Sequence, residues 1–207
     1  MSRSAASTTV VLASANKHKL SELQQMLGNA VRVVSAIDLG ITMPEETAIT
    51  FAGNAALKAT AAYEQSGHVS LADDSGLEVD ALDGHPGVYS ARYAGDNATD
   101  PENNEKLLQE LRDVPEGLRS ARFRSAIAVA LGEGDPLIFE GTLEGTIGFE
   151  GVGSNGFGYD PLFRLPNGRS LAEMRSEDKN KISHRGVAMK QAIPVLLEHL
   201  IGEEHSN

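Results

Sequence analysis

The 207-residue chain contains no cysteine and no tryptophan. Without cysteine there is no disulfide, no thiolate nucleophile and no thiolate metal ligand, a composition that fits a reducing cytoplasm. Aromatic residues make up only 5% of the chain, so two rings in one flexible loop would be unusual. No window approaches the roughly 18 apolar residues of a membrane span. Met1 to Ser7 is rich in small residues and lacks the apolar core of a signal peptide, so it reads as a disordered lead-in. Positive charge is scarce too: 18 Lys and Arg stand against 29 Asp and Glu, a net charge of −11. That balance argues against a nucleic-acid or anionic-membrane surface, which needs a basic stripe. An anionic ligand must then sit in a local basic pocket, usually with a metal. A small nucleotide meets that constraint better than a polymer.

What is present is ordinary for a globular protein, with 41% hydrophobic and 23% charged residues. The length suits one well-cored domain over residues 1–207. Thr8 to Ala13 is an apolar, β-branched run that predicts a buried parallel strand, and Val31 to Val34 a second. Leu20, Leu23, Met26 and Leu27 recur at helical spacing, predicting a helix over Lys17 to Leu27. An alanine-rich helix is expected from Thr50 to Ser66. Thr99-Asp100-Pro101-Glu102 opens another that runs to about Arg112. Ala121 to Leu131 alternates as a half-buried strand, with Leu137 to Ile147 as its neighbour. Ser170 to Glu173 has capping-box spacing. Ser183 to Ile201 is helical, with a kink or new turn expected at Pro194. Helices and strands alternate early and strands dominate the middle, so the chain is expected to be mixed α/β with a second lobe on its central sheet.

Leu71-Ala72-Asp73-Asp74-Ser75-Gly76-Leu77 carries the most chemical information. It sets two adjacent carboxylates between apolar runs, which predicts strands Val69 to Asp73 and Leu77 to Leu82 around an acidic turn. Adjacent strand residues point to opposite faces, so only one of Asp73 and Asp74 faces a given site. The other must find partners elsewhere. Carboxylates beside a hydroxyl are oxygen ligands of the kind hard divalent cations take. The same tetrapeptide also suits a plain turn that caps a strand.

Four other stretches could join such a site. Ser14-Ala15-Asn16-Lys17-His18-Lys19 lies between the first strand and first helix, where open α/β sheets bind ligands and a helix N-terminus favours anions. It lacks the glycines of a Walker motif. Glu45 and Glu46 precede the alanine-rich helix, on which Asn54 and Lys58 share a face. Gly151 to Pro161 holds four glycines around Phe157 and Tyr159, where an exposed ring would offer a stacking face for a base. Lys179-Asn180-Lys181-Ile182-Ser183-His184-Arg185-Gly186 concentrates donors suited to a phosphate or carbonyl. Singly, each also reads as a cap, a surface acid pair, a hairpin turn or a solvated charged face.

In order along the chain, six blocks stand together. They are Ser14-x-Asn16-x-x-Lys19; Glu45-Glu46-Thr47 with Thr50-Phe51-x-x-Asn54-Ala55; Ala72 to Leu77; Pro86 to Gly95; Gly156 to Pro161; and Ile182 to Gly186. Together they resemble the inosine triphosphate pyrophosphatase family, also called dITP/XTP pyrophosphatases, from about Val10 to Leu197. The resemblance implies an elongated α/β fold, a mixed sheet with flanking helices and two lobes around a central cleft. It also implies a homodimer, a Mg²⁺ requirement, and hydrolysis of non-canonical purine nucleoside triphosphates to the monophosphate and pyrophosphate. By position it makes Asp74 the general base and a metal ligand, and Glu45 the second metal carboxylate. Ser14, Ala15, Asn16, Lys17, His18 and Lys19 match the triphosphate-holding stretch, and Ser75 a further substrate contact. Phe157, Gly158, Tyr159, Asp160, Lys179, His184 and Arg185 match contacts to base and phosphate. Glu46, Asn54, Lys58, Asp73 and Arg92 are further candidates in or beside these blocks.

Two departures stand out. The family commonly has Thr-Gly-Asn where this chain has Ser14-Ala15-Asn16, and glutamate where it has Gly53. A nucleotide sensor without turnover would use the same loops but no base. A metal-dependent phosphomonoesterase would release phosphate instead of pyrophosphate.

Overall fold

The computed structural model describes residues 8–28 and 31–204, so the expected lead-in from Met1 to Ser7 lies outside the described residues. The strands are β1 (Thr8–Leu12), β2 (Val31–Ser35), β3 (Ser70–Val79), β4 (Ser120–Ala130), β5 (Leu137–Ile147) and β6 (Phe163–Arg164). The helices are α1 (Lys17–Leu27), α2 (Phe51–Ser66), α3 (Asp100–Glu110), α4 (Ser176–Ile182) and α5 (His184–Glu204). The strands form one mixed sheet in the order β2-β1-β3-β4-β5-β6, flanked by helices: an α/β fold. β1 pairs in parallel with β2, from Thr8↔Val31 to Leu12↔Ser35, and with β3 at Val11↔Ser70 and Leu12↔Leu71. Such a strand is buried on both faces, which is why Val10 to Ala13 are continuously apolar and fully buried. β5 and β6 pair antiparallel.

Two compact units can be distinguished. The first comprises Met1–Asp73, Ala126–Phe139 and Ala188–Asn207. Its core joins Val10 and Leu12 of β1, Leu23 and Leu27 of α1, Leu71 of β3, Ile127 and Val129 of β4, and one face of α5. That face is Ala188, Met189, Ala192, Leu196 and Leu200, at helical spacing. Each large side chain so buried stabilises the fold by about 1.5–3 kcal/mol. α2 lies against β1, and Ala55, Ala59 and Ala62 are fully buried, small enough for a close approach. Thr50 caps α2 by accepting the Gly53 N–H at 3.1 Å, and Gly67 ends it in the left-handed region.

The second unit comprises Asp74–Ser125 and Glu140–Val187. Leu77, Val79, Leu107, Leu111, Phe123, Ile147, Leu162 and Phe163 form its core. Gly145 makes room for it, since a Cβ there would lie 2.5 Å from the Phe163 ring. Arg119 is buried and donates to four peptide oxygens, those of Leu111, Val114, Ile147 and Gly148. Its charge is thus dispersed over carbonyl groups, which ties the end of α3 to the end of β5.

Two local expectations are corrected. The acidic turn does not exist: Ser70–Val79 is one ten-residue strand, and Asp80–Leu82 a 3-10 turn. β3 has neighbours on both edges, and all its residues but Ser75 and Glu78 are buried. Satisfying its backbone in the ladder outweighs the turn preference of Asp-Ser-Gly. Likewise no new helix begins at Pro194, since α5 runs continuously through it. Its apolar face, buried before and after the proline, holds the helix together despite the missing N–H.

Candidate active site

On β3 the two acids part company. Asp73 is fully buried and Asp74 nearly so, on opposite faces of one strand. In the first unit, the Asp73 carboxylate lies 2.6 Å from the Lys19 ammonium. Its peptide oxygen accepts from Lys19 Nζ at 3.3 Å and from Lys58 Nζ at 3.2 Å. Lys58 also meets Glu46 at 2.7 Å. Two ammonium groups from two helices therefore converge on the residue before Asp74.

The segment from Ser14 to Lys19 forms its turn without the family's glycine. Ala15 keeps an ordinary negative φ, Ser14 Oγ accepts the Asn16 N–H at 3.1 Å, and Ser35 Oγ donates to the Ser14 carbonyl. Asn16 caps α1, its Oδ1 accepting the N–H groups of His18 at 2.9 Å and Lys19 at 3.2 Å. Two first-turn donors are thus committed to the cap, and the helix dipole remains for an anion. Ala15, Asn16, Lys17 and His18 are exposed, Ser14 is half-buried, and Lys19 turns inward.

Asn54 and Lys58 are indeed on one face of α2, and that face is buried. Asn54 Oδ1 accepts the Ala48 N–H at 2.9 Å, which fixes the segment that carries exposed Glu45 and ion-paired Glu46. Gly53 faces the same segment: a Cβ there would lie 2.7 Å from the Ala48 methyl. Any side chain at this position, a glutamate included, requires Ala48 to shift.

In the second unit Arg185, 1% exposed, donates through Nη2 to Ser75 Oγ at 3.0 Å, next along the strand from Asp74. Lys179 and Arg185 both sit over the half-buried Phe157 ring, at 4.8 Å and 5.8 Å from its centroid. Asp160 holds the group together. Its Oδ2 accepts the Lys179 ammonium at 2.6 Å and the Phe157 N–H at 3.0 Å, and a Cβ on Gly156 would collide with it. His184 is buried and stacks on Phe123, with centroids 4.9 Å apart and planes at 14°. Gly186 is required because a Cβ would lie 1.9 Å from the Asn180 carbonyl oxygen.

Two further candidates make contacts of their own. Tyr159 belongs to the core: its hydroxyl donates to the Ser90 carbonyl at 2.8 Å, and burial raises its pKa above the ordinary value. Arg92 lies over the Tyr89 ring at 5.2 Å. Phe123 and Ser90 are contributors that pattern reading missed. Phe123 carries only an alternating-strand signal, and Ser90, which accepts the Leu77 N–H at 2.8 Å, is one small residue within a matched block.

Among the described residues no three His, Asp or Glu side chains gather as a metal cage. Mg²⁺ is commonly held by one or two carboxylates, with water and phosphate oxygens for the rest.

The chain is similar to known proteins over most of its length. The Ham1 family profile matches residues 10–195. The dITP/XTP pyrophosphatase of Exiguobacterium sibiricum is 48% identical over 198 residues, which cover 94% of this chain and 99% of the relative. The enzyme of the same name from Desulforamulus reducens is 50% identical over 198 residues, 94% of this chain and 98% of the relative. A HAM1 protein from Coxiella burnetii superposes with a TM-score of 0.84 at 45% identity, covering 92% of this chain and 99% of its own. With a profile match over most of its length and relatives of nearly equal extent, this chain belongs to the Ham1 family.

Proposed function

We propose that the chain is a nucleoside triphosphate pyrophosphatase. It hydrolyses non-canonical purine nucleoside triphosphates (ITP, dITP and XTP) to the monophosphate and pyrophosphate, and so cleanses the nucleotide pool. The observation that carries this reading is the name borne by relatives matched over nearly their whole length, dITP/XTP pyrophosphatase, together with the six sequence blocks. The whole of residues 1–207 serves this one activity, as a Mg²⁺-dependent homodimer in the cytoplasm that binds no nucleic acid. The absence of cysteine and the net charge of −11 support the last two points. Among the described residues no helix is long and apolar enough to cross a membrane.

In this reading Asp74 takes the proton of the attacking water, whose oxygen bonds to the α-phosphorus as pyrophosphate leaves. Asp74 and Glu45 are the carboxylates that would hold Mg²⁺, which would supply neutralisation of phosphate charge. Ser14 to Lys19, with Lys58, steady the triphosphate. Ser75 and Lys179 are further substrate contacts, and Phe157 stacks on the purine. His184 and Arg185 read the base. Arg185 can only donate, so it donates to a 6-carbonyl and opposes the 6-amino group of adenine. Leaving such a buried donor unsatisfied costs about 1–3 kcal/mol, more when charged.

The test is a panel of ITP, XTP, GTP and ATP with Mg²⁺. ITP and XTP are expected to give the highest kcat/KM and ATP a value at least about tenfold lower, the equivalent of ~1.4 kcal/mol. Equal rates on ITP and ATP would overturn the base assignment, and binding without turnover would identify a sensor.

A further inference from the structure

The loop that carries Phe157 is gripped by two residues that no sequence motif singles out for this purpose. Gly158 donates its N–H to Asp100 Oδ2 at 2.6 Å and accepts Asn104 Nδ2 on its carbonyl oxygen at 2.9 Å. Asp100 opens α3 and Asn104 lies one turn on, so both reach from the same helix face. Gly158 sits in the left-handed region at φ 61°, with nothing within 4 Å of where a Cβ would lie. Glycine is needed there for its backbone conformation, which turns both polar groups of one residue toward one helix. The Phe157 N–H is taken by Asp160 and the Phe157 carbonyl accepts from the Asp160 N–H at 3.3 Å. With the clasp on Gly158, the backbone on both sides of the ring is fixed, although the ring itself is only half-buried. Asn104 also keeps its Oδ1 buried with no hydrogen-bond partner among the described residues. That cost is one an apolar residue would avoid, so the amide is there for the bond it donates.

We propose that Asp100 and Asn104 are positioning residues that aim the Phe157 ring, and through it set nucleotide affinity, without touching the nucleotide. The inference rests on the reading of Phe157 as the ring that stacks on the purine. Stacking contributes equally to ground and transition states, so its loss appears in KM with kcat little changed.

The experiment is a set of ITP kinetics on Asn104→Ala, Asp100→Ala, Asp100→Asn, Phe157→Ala and the Asn104→Ala/Phe157→Ala pair, each checked for an intact melting transition. Asn104→Ala and Asp100→Ala are expected to raise KM on the order of tenfold, within the range that base stacking carries. Asp100→Asn keeps an oxygen that accepts the Gly158 N–H, so it is expected to retain wild-type KM. In the Phe157→Ala background, Asn104→Ala should add nothing, because the clasp then has no ring to aim. If Phe157→Ala raises KM while both clasp variants leave it unchanged, or if the two effects add in full, the clasp proposal is overturned. If Phe157→Ala itself leaves KM unchanged, the stacking reading beneath it fails instead. A clasp variant too unstable to assay is replaced by Asn104→Asp, which removes the donor and keeps the shape. The same rise in KM is expected from it, and unchanged KM overturns the proposal.

Discussion

The Lys19 ammonium lies 2.6 Å from the Asp73 carboxylate and 3.3 Å from the peptide oxygen of the same residue. The acid on the strand face opposite Asp74 thus holds the cation at the start of α1. Removing one member of a buried ion pair leaves the other uncompensated, at about 3–5 kcal/mol. Asp73→Asn is therefore expected to lower the unfolding free energy by roughly 3 kcal/mol, since Lys19 is slightly exposed. Adding Lys19→Met should restore part of it. Urea denaturation checks this, and an unchanged midpoint for Asp73→Asn would show that the pair contributes nothing.

A second prediction concerns Gly53 and Ala48. Glycine to alanine in a helix ordinarily gains about 1 kcal/mol. Here the new methyl would lie 2.7 Å from Ala48 Cβ, so Gly53→Ala is expected to destabilise. The pair Ala48→Gly/Gly53→Ala should recover that loss. If Gly53→Ala alone gives the ordinary helix gain in denaturant titration, the segment before α2 is free to move aside.

His184 and Phe123, stacked at 4.9 Å, should be energetically coupled. Aromatic pairs of this geometry carry about 0.5–1.5 kcal/mol beyond their buried area. A double-mutant cycle on stability with Phe123→Leu and His184→Ala should return a coupling in that range. Strict additivity would mean that the rings are neighbours without mutual stabilisation.

Because the chain has no tryptophan, Phe157→Trp would install a single indole fluorophore in the loop. Nucleotides that stack on it should quench its emission saturably, ITP at lower concentration than ATP. Emission that does not respond to nucleotide would place position 157 outside the base pocket.

Much of this was legible in the chain, and the misses have a common cause. α1 follows from its helical periodicity and β5 from its place after a turn beside β4, and both match their expected bounds. β3 was misread because its continuity depends on neighbouring strands, which a local turn signal at Ser75-Gly76 cannot reveal. The same holds at the site. Asp74, Phe157 and Arg185 lie in blocks with a distinctive local pattern. Asp100 reads locally as a helix start, and only the fold brings it to Gly158, 58 residues away.

The most direct measurement is product analysis of ITP hydrolysis by the wild type and by Asp74→Asn at saturating Mg²⁺. The wild type is expected to yield IMP and pyrophosphate in equal amounts, with no inorganic phosphate. Asp74→Asn should lose on the order of 10²–10⁴-fold in kcat, the scale of general-base catalysis. Phosphate as the wild-type product, or a variant that keeps more than about a tenth of wild-type kcat, would contradict the account.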